Sequence, residues 1–242
     1  NKGTEELGDV VSALVDLREA FRNAEPSGYA EEVEMASQKL ISLEGRVVDK
    51  MGELASKMVR MDVVVWPEIG YGYYPAFADY PGSVSLSEST YRLLVSDILD
   101  CIEAAGAQRI VILNSGVSTI RPLQAILTAR TSGAETRLIN IYSGANFTRA
   151  TTDLEEQEWG GHADEIETSM MLAIDPQSVD LSKARNAPRR IRSGRFNRRR
   201  PDEPNYSPDG VNGNPSLATC EKGAQLLVAM LDDVIGEIMP GP

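Results

Sequence analysis

The 242-residue sequence predicts an α/β protein with three layers, α/β/α, around a mainly parallel central sheet. Two observations support this fold class. Apolar runs typical of strands alternate with segments of helical periodicity, the order found in parallel sheets that are covered by helices on both faces. The run RIVILN at 109–114 also has an unbroken apolar centre, as expected for a strand buried on both faces.

The predicted elements extend from residue 30 to residue 238. In order they are helices over 30–42 and 46–58, a strand over 62–66, a helix over 89–105, a strand over 109–114, a helix over 119–131, a strand over 137–142 and a helix over 217–238. Pro67 closes the first strand, and Gly106 is a stop signal for the helix before the second. One more helix is predicted to begin near His162, because Asp164 and Glu165 favour the positive end of a helix dipole.

The composition is that of a soluble globular chain, with 42% hydrophobic and 25% charged residues. A net charge of −12 disfavours binding to nucleic acid or to an anionic membrane. No apolar run approaches the length of a membrane span, so we expect a cytoplasmic protein. Cys101 and Cys220 lie on different predicted helices without CxxC spacing, and we expect them to be small buried apolar residues.

Aromatic and polar side chains follow the first two predicted strands. Chemistry in parallel sheets gathers at the carboxyl ends of the strands. After the first strand, a loop offers five aromatic rings that can line a pocket for a planar or ring substrate: Tyr71, Tyr73, Tyr74, Phe77 and Tyr80. Packing between subunits is an equally ordinary explanation. Of these five, Tyr71, Tyr73 and Tyr74 are the candidate substrate-binding residues.

The turn after the strand at 109–114 offers three more candidates for substrate binding. Asn114, Ser115 and Ser118 can donate hydrogen bonds to an oxyanion. Ser118 also fits the N-cap of the following helix, and for this residue capping is the favoured interpretation.

The single histidine, His162, lies in the segment GGHADEIETSMML at 160–172. Its ordinary pKa near 6.5 permits a role as general base without a metal ion, and Glu167 or Asp164 could orient the ring. The alternative is a structural histidine that caps its own helix.

Four segments, taken in order, resemble successive motifs of the creatininase, or creatinine amidohydrolase, family. They are PEIGYGYYPAFADYPGSVSL (67–86), RIVILNSGVST (109–119), GGHADEIETSMML (160–172) and GVNGNPSLATCEKG (210–223). The resemblance implies one creatininase-like domain over 1–242, often assembled as a homo-hexamer. It also implies a two-metal site of divalent ions, Zn or Mn, that activates water to open an amide, a cyclic amide or a ring ketone. Trp159, His162 and Glu167 match positions that shape the pocket and shuttle protons in the family.

The sequence departs from the family at both metal-binding histidines. Glu5 and Asp16 match the carboxylates of the first metal motif, but Leu7 stands at its histidine position. In the second metal motif, Gly116 stands at the histidine position. A rival match for the first motif lies at 42–49. A site built from carboxylates alone suits magnesium, calcium or manganese and binds them more weakly than an imidazole site binds zinc.

Two functions are compatible with this pattern. In the first, the chain is a divergent hydrolase in which His162 is the base, while Glu167, Glu5 and Asp16 polarise water or hold a weakly bound metal. In the second, it is a catalytically silent subunit with a structural or ligand-binding role beside an active paralogue. The retained segment around His162 favours the enzyme, and the two lost histidines favour the silent subunit. We favour the enzyme.

Two parts of the predicted domain are unusual. Residues 1–60 form a divergent helical N-terminal part. Residues 185–209 form an Arg/Pro-rich loop, and its first part, RNAPRRIRSGRFNRRR at 185–200, contains eight arginines. A solvated loop is the default for such a charge run. The guanidinium groups could instead grip a substrate carboxylate or phosphate, or dock on acidic residues of a neighbouring subunit, such as Glu31, Glu32 and Glu34. Docking is favoured, because eight arginines exceed the needs of one small ligand.

Overall fold

The computed structural model describes residues 64–131, 133–187, 189–192 and 194–239, together with the single positions Val47, Met51 and Ala55. Over these residues the helices are α1 (Glu88–Ala104), α2 (Ile120–Ala129), α3 (Ala145–Leu154), α4 (Glu165–Ile174) and α5 (Cys220–Ile238). The strands are β1 (Arg109–Asn114) and β2 (Glu135–Asn140). None of the helices in this part of the chain is long and apolar enough to cross a membrane.

The two strands pair in parallel, with Arg109 opposite Glu135 at one end and Asn114 opposite Asn140 at the other. Successive side chains of a strand point to opposite faces of a sheet. One face packs against the core of α1 and α2 through Ile110, Ile112 and Leu138. The other face packs against the core of α3, α4 and α5 through Val111, Leu113 and Ile139. The described residues therefore form the predicted α/β/α layers.

The core on the second face positions α4, the helix that begins beside the candidate site. Met170 on α4 and Leu226 and Met230 on α5 have no exposed surface. The two helices touch at Gly223, where an added Cβ would lie 1.9 Å from the backbone oxygen of Ser169. Val47, Met51 and Ala55 are helical and buried in the same core, in agreement with the predicted helix over 46–58.

The predicted strand over 62–66 is not present in its described part. Residues 64–66 belong to no strand, and 81% of the surface of Val64 is exposed. An apolar run favours an extended conformation, but a strand also requires a neighbour with which to exchange backbone hydrogen bonds. The predicted helix over 30–42 lies outside the described residues.

Other differences concern boundaries and burial. The strand predicted over 137–142 lies at Glu135–Asn140, and the helix expected near His162 begins at Glu165. Helix α3 was not predicted. Cys101 and Cys220 are exposed, since the first lies on the solvent face of α1 and the second is the first residue of α5.

Candidate functional site

A cavity of about 870 Å³ lies at the carboxyl end of β1. Its walls come from the 3₁₀ turn Pro75–Phe77, the loop at 115–118, the turn before α4 and residues 190–192, 194 and 196. This is the end of the sheet at which α/β proteins bind their ligands. A second cavity of about 660 Å³ lies over α1 and α2, where Arg130 is already paired with Asp100 and Glu103.

The turn before α4 is organised by Asp164. Its carboxylate caps the helix by accepting a hydrogen bond from the backbone N–H of Glu167 at 3.0 Å, and it accepts a second from Gly161 at 2.8 Å. Aspartate is a preferred N-cap because its side chain satisfies backbone donors that the helix leaves unpaired. Gly213 closes over this turn, and an added Cβ there would lie 2.4 Å from Cβ of Asp164.

Glu167 lies on the first turn of α4 and points back toward the preceding residues. Its Oε2 accepts a hydrogen bond of 2.6 Å from the backbone N–H of Ala163, and it lies 3.8 Å from Nδ1 of His162. Ala163 has a φ of 47°, in the left-handed region that is uncommon for a residue with a side chain. The imidazole of His162 and the carboxylate of Glu167 lie next to each other beside this residue.

His162 precedes α4 and does not cap it. Its backbone forms an antiparallel bridge with Asn212, in which Asn212 N–H donates to His162 C=O at 2.8 Å. The ring packs against Phe77, with centroids 4.1 Å apart, and meets Phe196 edge-on at 6.1 Å. Only 8% of the residue is exposed, although it lines the cavity. The interpretation of His162 as a helix cap is therefore wrong.

Burial lowers the pKa of His162 from 6.5 to about 4. The imidazole is therefore neutral at physiological pH, with one nitrogen that carries a proton and one that can accept a proton. A proton on Nδ1 would face Glu167 and leave Nε2 as the acceptor.

This lowered pKa predicts a loss of stability in mild acid. The unfolded chain binds a proton at its only histidine near pH 6.5, whereas the folded chain does so near pH 4, so stability falls as the pH drops through this window. As the pH falls from 7.5 to 5, we expect protonation of this histidine in the unfolded chain to lower the free energy of unfolding by about 2 kcal/mol. Urea denaturation at the two pH values measures the loss. A His162→Gln variant with the same pH dependence would contradict the assignment.

The loop after β1 is held by Asn114, which is buried. Its side-chain amide donates to Gly116 C=O at 2.9 Å and to Oδ1 of Asn140 at 2.8 Å, so it ties together the ends of β1 and β2. Thr119, the N-cap position of α2, donates to Oδ1 of Asn114 at 2.6 Å. Both polar atoms of the Asn114 side chain are therefore engaged in hydrogen bonds that hold the loop to the strand ends.

Ser115 and Ser118 line the cavity, and neither hydroxyl bonds another described residue. The favoured interpretation of Ser118 as an N-cap is wrong, because Thr119 occupies that position. Both hydroxyls can therefore donate to a ligand.

The cavity brings together five of the candidate residues: Tyr74, Ser115, Ser118, His162 and Glu167. The other described candidates lie outside its lining. Tyr71 is 61% exposed, and Tyr73 packs against the core of α1 and α2. Trp159 has a buried indole N–H with no hydrogen-bond partner among the described residues. Glu5 and Asp16 lie outside the described residues.

Part of the arginine-rich segment is built into the site. Ile191 is buried, and the side chain of Asn212 holds its backbone through two hydrogen bonds. The N–H of Ile191 donates to Oδ1 of Asn212 at 2.9 Å, and Nδ2 of Asn212 donates to the C=O of Ile191 at 3.0 Å. Arg190 and Arg192, on either side of Ile191, are exposed and line the cavity. Phe77, one of the rings expected from the sequence to line a pocket, is part of the cavity wall, whereas Arg190, Arg192, Phe196 and Asn212 were not among the candidate residues. Only the GVNGNPS motif pointed to Asn212.

The described residues do not by themselves fit a divalent metal. No group of three or more His, Cys, Asp or Glu side chains in the described part is arranged to hold an ion. A side chain at Gly116 would require Thr119 to shift, since a Cβ at this position would lie 2.7 Å from Oγ1 of Thr119. Asp164 and Glu167 already accept backbone hydrogen bonds.

Comparisons with known proteins agree on one family. The sequence model of the creatininase family, creatinine amidohydrolase, matches residues 44–238. A mycofactocin precursor peptide peptidase from Mycobacterium ulcerans (strain Agy99) is 27% identical over 183 residues, which are 73% of this chain and 67% of that protein.

Solved structures of the same family share the fold. A protein described as a creatinine amidohydrolase from Bacteroides fragilis NCTC 9343 superposes with a TM-score of 0.63 at 21% identity, covering 81% of this chain and 79% of that one. A structure described as creatininase Mn gives a TM-score of 0.61 at 21% identity with the same coverage.

Proposed function

Because this chain belongs to the creatininase family, we propose that it hydrolyses an amide, a cyclic amide or a ring ketone of a small molecule in the cavity at the end of β1. One observation carries the proposal. His162, Glu167, Ser115 and Ser118, which come from two distant parts of the sequence, line the same cavity.

His162 is the proposed general base. Its neutral ring accepts a proton from water at Nε2, while Glu167 faces Nδ1 and stabilises the imidazolium that forms. The 3.8 Å separation from Glu167 is longer than a hydrogen bond, and such contacts commonly tighten when substrate binds. For an amide substrate, the water oxygen bonds to the carbonyl carbon, and the C–N bond breaks as the proton passes from His162 to the leaving nitrogen.

Ser115 and Ser118 are proposed to stabilise the carbonyl oxygen. Negative charge develops on this oxygen when water adds, and donors fixed at that position lower the barrier most. Tyr74 and Phe77 provide the aromatic wall for a ring or planar group. No contact with substrate is proposed for three other candidates, which contribute to the structure around the cavity: Tyr71, Tyr73 and Trp159.

Metal content is the first test of this proposal. Gly116 and Leu7 replace the two imidazole ligands, so we expect well below one equivalent of zinc or manganese per chain after gel filtration. Elemental mass spectrometry of the tag-free protein measures the metal. About two tightly held equivalents per chain would overturn the metal-free step and point to ligands such as Glu5 and Asp16 in a two-metal centre.

A silent subunit is the second candidate function, and the same two replacements favour it. Activity separates the two: turnover of any substrate in a panel of creatinine, short peptides and ring amides, retained in the presence of a chelator, supports the metal-free enzyme. No turnover with or without added Zn²⁺ or Mn²⁺ supports the subunit. Native mass spectrometry tests the hexamer that the family resemblance implies and shows whether a paralogous chain co-purifies.

A further inference from the structure

The cavity contains two cations that the proposed hydrolysis does not use. Arg190 and Arg192 line it, and neither forms a hydrogen bond or an ion pair with another described residue. Two other arginines of the segment are engaged elsewhere: Arg189 donates to two backbone carbonyls, and Arg200 pairs with Glu203 at 2.7 Å. The two arginines at the cavity are thus available to a ligand.

The position of this pair is set by the same residue that holds His162. Asn212 bridges the backbone of His162 and clamps Ile191 through its side chain. Because Ile191 is buried and clamped, the residues on either side of it have a fixed backbone. The arginines are therefore held relative to the base, although their side chains are exposed.

We infer that Arg190 and Arg192 bind a carboxylate of the substrate, so that the substrate class is an apolar or aromatic amide with one anionic group. Guanidinium groups bind carboxylates through paired, charge-assisted hydrogen bonds. Phe77, Phe196 and Tyr74 provide the apolar surface beside them. The substrate class rests on the proposed function, which this inference deepens. The anion site is inferred from the residues that line the cavity and does not depend on the proposed hydrolysis.

The other charges of the cavity favour a monoanion over a phosphate. Glu155, Asp164 and Glu167 also line it, and His162 is neutral at physiological pH. A dianion would experience stronger repulsion from these three carboxylates than a single carboxylate would.

A matched pair of probes tests the inference without requiring turnover. N-acetylphenylalanine and N-acetylphenylalanine amide share the ring and the acetamide group but differ in charge at pH 7.5. Isothermal titration calorimetry is expected to show at least about tenfold tighter binding of the carboxylate. Arg190→Gln and Arg192→Gln should each reduce this preference, and the double variant should abolish it.

Arg199→Gln is the control, because Arg199 is exposed in the same segment and does not line the cavity. It should leave the preference unchanged. His162→Gln should also keep the preference for the carboxylate probe. A wrong assignment of His162 as the base and a wrong assignment of the anion site therefore give different results. Equal binding of the two probes, or a preference that survives in the double variant, would overturn the inference. So would inorganic phosphate binding more tightly than N-acetylphenylalanine with the same dependence on the two arginines.

Discussion

Replacing His162 by glutamine is expected to lower kcat/KM for the substrate of this chain by ~10²–10⁴-fold, the usual contribution of a general base. Glutamine keeps a polar side chain at a site with 8% exposure but cannot take a proton from water. The chain has no second histidine that could replace it. Initial rates for the variant and the unmodified protein, measured at pH 8 on the most active compound of the panel, give the ratio.

The pH profile separates a base from a residue that only shapes the cavity. Burial lowers the pKa of His162 to about 4, so the acid limb of kcat/KM should lie near pH 4 rather than near pH 6.5. The rate should therefore be nearly constant through the neutral range. Urea unfolding at pH 8 checks that His162→Gln is folded. A folded variant with unchanged turnover would exclude His162 as the base.

The second large effect concerns stability. Lys222→Met is expected to lower the free energy of unfolding by about 3–5 kcal/mol, because it leaves the carboxylate of Glu165 buried without its cation. Glu165 has no exposed surface and contacts Nζ of Lys222, which also binds Oε1 of Glu156 at 2.6 Å. Burial lowers the pKa of Lys222, but its bonds to the two glutamates outweigh this effect and the pKa is raised.

Two variants show whether the loss comes from the buried charge. Glu165→Gln combined with Lys222→Met removes both charges and should recover much of the stability lost in Lys222→Met alone. Lys183→Met makes the same substitution at a pair in which Lys183 is 84% exposed, and no measurable change is expected there. Urea denaturation at pH 7.5 measures all three. Equal losses in Lys222→Met and Lys183→Met would contradict the buried-charge explanation.

This ion pair also bears on the site. Oε2 of Glu165 accepts hydrogen bonds from the backbone N–H groups of Glu156 and Gln157, at 2.9 and 2.8 Å. The side chain of Gln157 accepts a bond from Asn214 N–H at 2.8 Å, in the segment that follows Asn212. Lys222 and Glu165 therefore support the turn from which His162 enters the cavity.

The central elements of the fold were predictable because their signals are local. RIVILN reads as a buried strand, and β1 has the predicted bounds. Helix α1 lies within one residue of its predicted bounds, since Ser87 caps its start and Gly106, at a φ of 100°, follows its end. Helix α3 was not predicted because Phe147 is its only buried residue, and its first turn is satisfied by the distant carboxylate of Asp233.

The composition of the candidate site was only partly predictable. His162, Glu167, Ser115 and Ser118 were identified because polar residues follow strand ends and because two motifs resemble the family. Tyr73 is predicted at the same site, but it is partly buried against the core of α1 and α2, since rings adjacent in sequence point in different directions. Arg190 and Arg192 could not be distinguished from the other six arginines of their segment, because only the clamp by Asn212 determines which of them reach the cavity.

The sequence by itself determined the fold class, the order of most elements and the family. These properties follow from residue identity and from spacing within short segments. Tertiary structure alone decided that His162 lies outside α4, that its ring is buried against Phe77, and that two cations share its cavity. Burial and electrostatic environment depend on contacts between residues far apart in the chain, such as His162 with Asn212, and no local pattern encodes them.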